Sequence, residues 1–281
     1  MDDQRRWQVD EDAAGAYQRF LVPTVTAPWA AVLVDRLALR PGERVLDVAS
    51  GTGVVARMAA ERVGTTGRVT ALDINTRMLE VGQSLPPVAG AAIEWCVGSA
   101  LAMPLPDGAF DVVTCQLGLQ FLPDRLAALR EMRRVLSDTG RLALSVYGPI
   151  EHNPATHALS ESLDRRVRPA ASVAKRTEHA LADPDELGAL VAAAGFEGVR
   201  ITTEHITVAL SSAAEYVRIQ LTATPLARIL TDMPAADRQR VLSEITGDVN
   251  AALAPYMRSD GLFYPQEAHI VLATPESHVL A

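Results

Sequence analysis

The sequence predicts an α/β chain built on a doubly wound, mostly parallel sheet of seven strands. Three observations carry that expectation. Apolar runs of strand length alternate with helix-patterned segments from 44 to 147, a glycine-containing turn follows the first run, and the second run closes on an acid.

Residues 13 to 38 hold two helical patterns that break around Pro23 and Pro28, one with Tyr17, Phe20 and Leu21 on a face, the other with Trp29, Val32 and Leu33. The first strand, 44 to 48, is short, apolar and preceded by Pro41-Gly42. A helix over 54 to 63 follows, then a strand over 68 to 72 that ends at Asp73, a helix over 76 to 84 and a strand over 92 to 96. Strand 110 to 116, helix 124 to 136 and strand 140 to 147 complete the regular winding. After Tyr147 the alternation lapses. Residues 149 to 182 read as a polar, helix-prone insertion with basic Arg165, Arg166, Arg168, Lys175 and Arg176. Asp183-Pro184-Asp185-Glu186 then starts a helix that stops at Gly195, and a strand spans 198 to 209. A last strand at about 267 to 273 fits an antiparallel hairpin partner at the sheet edge. The block 211 to 264, with Tyr216, Ile219, Leu221, Leu226, Ile229, Met233, Tyr256, Met257, Phe263 and Tyr264, is longer than a hairpin needs and reads as part of a cap over a ligand. The organisation expected is one domain over 1–281. Its core covers approximately 36–148, 183–210 and 265–275, and its cap approximately 1–35, 149–182 and 211–264.

The run Val45-Leu46-Asp47-Val48-Ala49-Ser50-Gly51-Thr52-Gly53 reads as a nucleoside-cofactor pocket. Gly51 and Gly53 permit positive φ and leave no Cβ in the way where a helix N-terminus begins. Asp73, about twenty residues on, suits two ribose hydroxyls at a strand end. A dinucleotide fingerprint, G-x-G-x-x-G with a similarly spaced acid, fits less well. Here the pattern runs Ala49, Gly51, Gly53, Ala56, and Asp47 before the turn would repel a pyrophosphate while suiting a cationic cofactor.

The strings VLDVASGTG, VTALDIN, GSALAMPLPDGAFDVVTCQLGLQFLPD and REMRRVLSDTGRLALSVYG, in that order and spacing, resemble the class I S-adenosylmethionine-dependent methyltransferases. The likeness is greatest to the bacterial small-molecule branch related to the ubiquinone and menaquinone methyltransferases. It is dense over roughly residues 36 to 150 and only in outline beyond. It implies a Rossmann-like methyltransferase fold with a helical cap, S-adenosyl-L-methionine as cofactor and S-adenosyl-L-homocysteine as product. By the same resemblance, Gly51 and Gly53 lie beside the methionine part, Asp47 supports the turn and the amino group, and Asp73 binds the ribose. Ile74 sits beside the adenine, Ser99 and Ala100 stand where relatives have Asp-Ala, and Gln116 and Leu117 line the transferring methyl. Two positions depart from the pattern: Ser99 offers a neutral acceptor in place of a carboxylate, and Ala49 replaces a common glycine.

A sulfonium methyl is already activated, so the protein's part is to position a nucleophile and exclude water, and no metal is required. Among the candidate bases Glu151, His152, His157, His179, His205 and His269, the best placed is His152, directly after the fifth strand, although a solvated loop histidine is the plainer reading. His205 and His269 fall on the antiparallel strands and read as structural. Tyr17, Trp29, Tyr147, Tyr216 and Tyr264 are the candidate acceptor-binding residues, each with packing as its alternative role.

Composition sets outer limits. A net charge of −8 argues against broad nucleic-acid or anionic-membrane binding. Cys96 and Cys115 lack metal-ligand spacing and read as buried reduced thiols. No sequence stretch reaches transmembrane length and the segment MDDQRRWQVDEDAAG is polar and acidic, so the expectation is a cytoplasmic protein without membrane insertion, acting on a small molecule, with a homodimer allowed. Three functions remain open at this level. They are methyl transfer to a moderately apolar natural-product-like or quinone-like acceptor, a cyclase or isomerase that binds the cofactor without transferring methyl, and a non-catalytic cofactor-binding subunit.

Overall fold

The computed structural model describes residues 11–224, 226 and 233–276; Ile229 and the chain ends of the expected domain lie outside the described residues. The first helix, α1 (Glu11–Ala16), does not stop at Pro23. It runs through a π-helical stretch, Tyr17–Thr26, into α2 (Ala27–Leu37). The wider turn accommodates the proline: the Ala27 N–H reaches back five residues to the Val22 carbonyl, and the Thr26 hydroxyl does the same to Leu21. Pro28 falls in the first turn of α2, directly after the π-helical stretch. The two separate helices expected are therefore one. Continuity makes Ala13–Leu37 long and apolar enough, by length and composition, to cross a membrane, which the broken reading had concealed. Trp29, Leu33 and Leu37 are nevertheless fully buried in the fold.

Strands β1 (Arg44–Val48), β2 (Arg68–Asp73), β3 (Ile93–Val97), β4 (Phe110–Gln116) and β5 (Leu136–Tyr147) pair in parallel, in the order 3-2-1-4-5. Helices α3 (Val54–Val63), α4 (Thr76–Ser84) and α5 (Arg125–Val135) alternate with them. Asn75 and Asp124 cap α4 and α5 through side-chain acceptors. A short turn at Ile150–His152 leads to α6 (Pro154–Arg166), α7 (Val173–Thr177) and α8 (Pro184–Ala193), the last capped by Asp183. Then come β6 (Phe196–Leu210), α9 (Ala213–Ala223), α10 (Ala235–Ala252), the two-residue β7 (Met257–Arg258) and β8 (Gly261–Pro275).

The sheet order is β3-β2-β1-β4-β5-β8-β6, with β7 an added partner of β8. The antiparallel strand is thus β8, and it lies one place in from the edge, between β5 and β6. The residues explain the order: β8 is buried along nearly its whole length, whereas β6 exposes Arg200, Thr202, Thr203, His205 and Thr207, as suits an outer strand. Because β8 starts at Gly261, Phe263 and Tyr264 belong to the sheet and not to the 211–264 excursion.

One apolar layer holds Leu33, Leu37 and the inward faces of α3 against β1 and β2, and the opposite layer packs α5 and α8 on β4, β5 and β8. A third cluster joins the first helix, α6, α9 and α10 over the strand ends, with Trp29, Leu159, Tyr216, Ile245 and Tyr264 in its interior. The strand order reverses between β1 and β4, where doubly wound sheets open a crevice at the carboxyl ends of their strands.

Candidate functional site

A cavity of about 330 Å³ opens at this reversal. Its floor is the turn after β1 at Ala49, Ser50 and Gly51; Ala49, Gly51 and the following Gly53 take positive φ (54°, 56° and 80°). The glycines adopt this freely, whereas Ala49 bears the steric cost of a Cβ in the left-handed region, about 1 kcal/mol.

Asp47 lies beneath the turn, 1% exposed. Its Oδ2 accepts from the Ala56 N–H (3.0 Å) and its Oδ1 from the Thr114 hydroxyl (3.0 Å), so one carboxylate ties β1, α3 and β4 together. Burial pushes its pKa up to about 7, against the lowering pull of these two bonds, and Asp73 adds repulsion. Asp73, at the end of β2, accepts from the Gly51 N–H at 2.7 Å and the Asn75 N–H at 2.8 Å, and burial raises its pKa as well. Both acids keep unused lone pairs and line the cavity. Ile74, Met78, Ser99, Ala100 and Leu101 form an adjoining, mostly apolar wall. The Ser99 hydroxyl oxygen already accepts from the Leu101 N–H (3.2 Å), an engagement the sequence did not reveal.

Tyr17 closes over the glycine turn, its hydroxyl 3.7 Å from where a Gly51 Cβ would stand. Burial pushes that phenol up to about 12, with the Thr26 hydroxyl opposing the shift and Asp73 and Asp47 adding to it. Gln116, at the end of β4, donates to the Thr26 carbonyl (2.8 Å) and so joins the sheet to this helix. Leu117 takes a left-handed φ of 48° at the same rim. Tyr147, at the end of β5, lines the cavity, and burial holds its phenol well above the ordinary value, with Glu178 next in effect.

Of the residues singled out from sequence, Asp47, Ala49, Gly51, Asp73, Ile74, Ser99, Ala100, Gln116, Tyr17 and Tyr147 share this cavity wall. Five do not. Gly53 faces Trp95, whose ring lies 2.5 Å from a would-be Cβ, so this glycine serves helix–strand packing. Trp29 is wholly buried and donates to Gln266 Oε1 at 3.0 Å, and it is Gln266 that reaches the cavity. Tyr216 and Tyr264 pack edge to face, centroids 5.7 Å apart, in the cluster behind the wall. His152 is more than half exposed and lies 2.9 Å from Glu267 Oε2, because the Ile150–His152 turn carries it outward to the β8 side.

His269 is held on its strand by Thr203 and the Ala182 carbonyl, in keeping with a structural role, while His205 sits 3.8 Å from Glu267. His179 donates from Nδ1 to the Gly148 carbonyl (2.7 Å), and burial lowers its pKa, so it stays neutral at physiological pH. No group of three metal-ligating side chains occurs among the described residues.

Sequence reasoning missed a polar cluster on the opposite wall. Lys175 is 4% exposed and its Nζ donates to both oxygens of Glu178 (2.8 and 2.7 Å) and to Gln220 Oε1 (2.8 Å), and all three residues line the cavity. A signal for Gln220 was present: it falls on the same helical stripe as Ala213, Tyr216 and Val217, which are apolar and buried.

The donor set fits the cofactor that the sequence resemblance implies. Two desolvated acids of raised pKa face one cavity, and the one buried lysine there is already committed to Glu178 and Gln220, so a ligand bearing positive charge would relieve them.

Comparison with known proteins agrees. Residues 23–163 match the model of the ubiE/COQ5 methyltransferase family. A ubiquinone/menaquinone biosynthesis C-methyltransferase UbiE from Paraburkholderia phymatum is 40% identical over 122 residues, 43% of this chain and 50% of that protein. The chain spans about half the length of the curated relatives it matches. In three dimensions, the YcgJ protein of Bacillus subtilis superposes with a TM-score of 0.56 at 18% identity, covering 89% of this chain and 99% of the other. A Haemonchus contortus phosphoethanolamine N-methyltransferase, solved with phosphomonomethylethanolamine and S-adenosylhomocysteine, gives 0.53 at 18% identity over 88% of this chain and 52% of its own.

Proposed function

Because the chain belongs to the ubiE/COQ5 methyltransferase family, we propose that it transfers a methyl group from S-adenosylmethionine to a moderately apolar small molecule, quinone-like or natural-product-like. The observation that carries this reading is the pair of buried acids under and beside one glycine turn, facing a single cavity. When bound, the cofactor supplies an electrophilic methyl on a sulfonium. The rest of the chemistry belongs to the chain's own side chains.

Asp73 presents its spare lone pairs to a vicinal diol while Gly51 and Asn75 fix its orientation. Asp47 supplies negative charge beneath the turn, and it is more fully ionised when a cation lies above it. The Ile74–Met78 and Ser99–Leu101 wall takes an adenine-sized aromatic system. Tyr17, Leu21 and Val25 of the first helix cover the turn and exclude water, with Gln116 holding that helix to β4. The helical stretch over 11–37 together with α6, α7, α9 and α10 acts as a cap on the core, and the acceptor lies between them and the strand ends. The single domain and its cytoplasmic location are part of the same reading.

A cyclase that only binds the cofactor is not favoured, since the family match is to methyltransferases. Calorimetric titration with S-adenosylmethionine, S-adenosylhomocysteine and NAD tests the cofactor. Micromolar binding of the first two and none of NAD is expected, and silence from both adenosyl ligands would remove the proposal. Methyl transfer to a panel of quinols and phenols, followed as S-adenosylhomocysteine release, then tests the activity.

A further inference from the structure

One wall of the cavity carries Lys175, Glu178 and Gln220, which lie beyond 163, outside the stretch matched by the family. Its centre is a charge pair that the apolar surroundings would otherwise penalise. Lys175 and Gln220 are 4% and 5% exposed, on α7 and α9.

The hydrogen-bond capacity of the cluster can be counted. An ammonium has three N–H bonds, and Lys175 spends them on Glu178 Oε1, Glu178 Oε2 and Gln220 Oε1. Nothing remains on the lysine for a ligand. Each Glu178 oxygen retains a lone pair, and the Gln220 amide nitrogen has no hydrogen-bond partner among the described residues. Both groups line the cavity, so the wall offers an acceptor beside a donor at no net charge.

We propose that Lys175, Glu178 and Gln220 form the specificity wall for the acceptor and select a neutral hydroxyl group, Glu178 accepting from its O–H and the Gln220 Nε2 donating to its oxygen. Lys175 is a positioning residue that holds both Glu178 oxygens in place and fixes the Gln220 amide so that its nitrogen points outward. A methyl ether satisfies the donor and leaves the carboxylate bare. A carboxylate ligand places its own lone pairs against those of Glu178. This inference rests on the methyltransferase reading only for the identity of the neighbouring ligand.

The test is calorimetric, on the full chain, with and without saturating S-adenosylhomocysteine. The probes are 2-naphthol, 4-phenylphenol and 4-propylphenol, each compared with its methyl ether and with the carboxylic acid in place of the hydroxyl. The wild type is expected to bind phenols at least tenfold more tightly than the matched ethers and acids. Glu178→Met, which removes the acceptor, should bring the phenol-to-ether ratio close to one. Since that change strands a buried ammonium, the double variant Lys175→Met/Glu178→Met, which removes both charges, provides the folded control. It should show the same loss of preference, with S-adenosylhomocysteine affinity within twofold of wild type.

Ethers or acids binding as well as phenols, no phenol binding at all, or a double variant that keeps the preference would each overturn the proposal. Failure of S-adenosylhomocysteine to bind, with the phenol preference intact in its absence, would instead count against the methyltransferase reading.

Discussion

Asp47→Asn separates what the buried acid does for the fold from what it does for a ligand. The carboxyl moves from an ordinary 3.8 to about 7, chiefly through burial. At about 1.4 kcal/mol per unit, the ionised form is penalised by about 4 kcal/mol relative to the unfolded chain, as an upper bound. The unfolded chain releases this proton near pH 4 and the folded chain near pH 7. Between those values the folded state holds more protons, so stability falls as pH rises and levels off above about 7. About 2 kcal/mol of that loss falls between pH 5.5 and 8. Asparagine keeps the geometry: its oxygen accepts from the Ala56 N–H, and its amide donates to a Thr114 hydroxyl that has turned to accept. Urea unfolding of the ligand-free proteins at both pH values gives the answer. The variant's stability relative to wild type should rise by about 2 kcal/mol from pH 5.5 to pH 8, while its affinity for S-adenosylmethionine at pH 8 drops about tenfold or more. A variant-to-wild-type difference that is the same at pH 5.5 and pH 8 would refute the account of Asp47 as a strained, ligand-directed charge.

Three further outcomes follow from the same geometry. Asp73→Ala frees the Gly51 and Asn75 N–H groups, so it should cost about 1–3 kcal/mol of stability, read by thermal melting, together with a larger loss of S-adenosylmethionine binding, read by calorimetry. Gly53→Ala meets both a φ of 80° and the Trp95 ring, and should lower stability by about 2 kcal/mol or more in urea unfolding; Ala there without loss would mean that the turn relaxes freely. Ala49→Gly relieves a left-handed φ, and should be neutral to stabilising by up to about 1 kcal/mol with cofactor affinity unchanged.

The winding from 44 to 147 was legible because each element there obeys local rules. Strands are short apolar runs ending in turn chemistry, and α4, α5 and α8 begin on Asn or Asp caps whose side chains accept from the first-turn amides. Where the structure differs, the determinant is non-local. Pro23 marks a helix end by local propensity, yet packing of Leu21, Val25 and Trp29 into the cap cluster carries the helix through it as a π-turn. The place of β8 inside the sheet follows from burial on both faces. That shows weakly in a segment such as Tyr264-Pro265-Gln266-Glu267, where polar residues are buried for reasons that lie on other elements: Gln266 against Trp29, and Glu267 beside His152 and the backbone of Gly148.

The two walls of the cavity differ in legibility for a physical reason. On the side proposed to hold the cofactor, the features are backbone conformation and acids at strand ends, so sequence order and spacing nearly determine where Asp47, Gly51 and Asp73 will meet. On the other side the polar groups come from α7, the residue directly after it and α9, elements joined by a strand and a helix of no fixed spacing, and Lys175 sits in a basic run that looks like a solvated face. Only burial identifies it: Arg176, its neighbour, pairs with Glu161 and Asp164 at 40% side-chain exposure, whereas Lys175 is turned inward to Glu178 and Gln220. A family fixed by its cofactor can therefore keep the first wall and vary the second, because exchanging a cap residue leaves the strand-end geometry intact. The corresponding expectation is that changes at 175, 178 and 220 alter which acceptors bind, while changes at 47 and 73 alter whether S-adenosylmethionine binds at all.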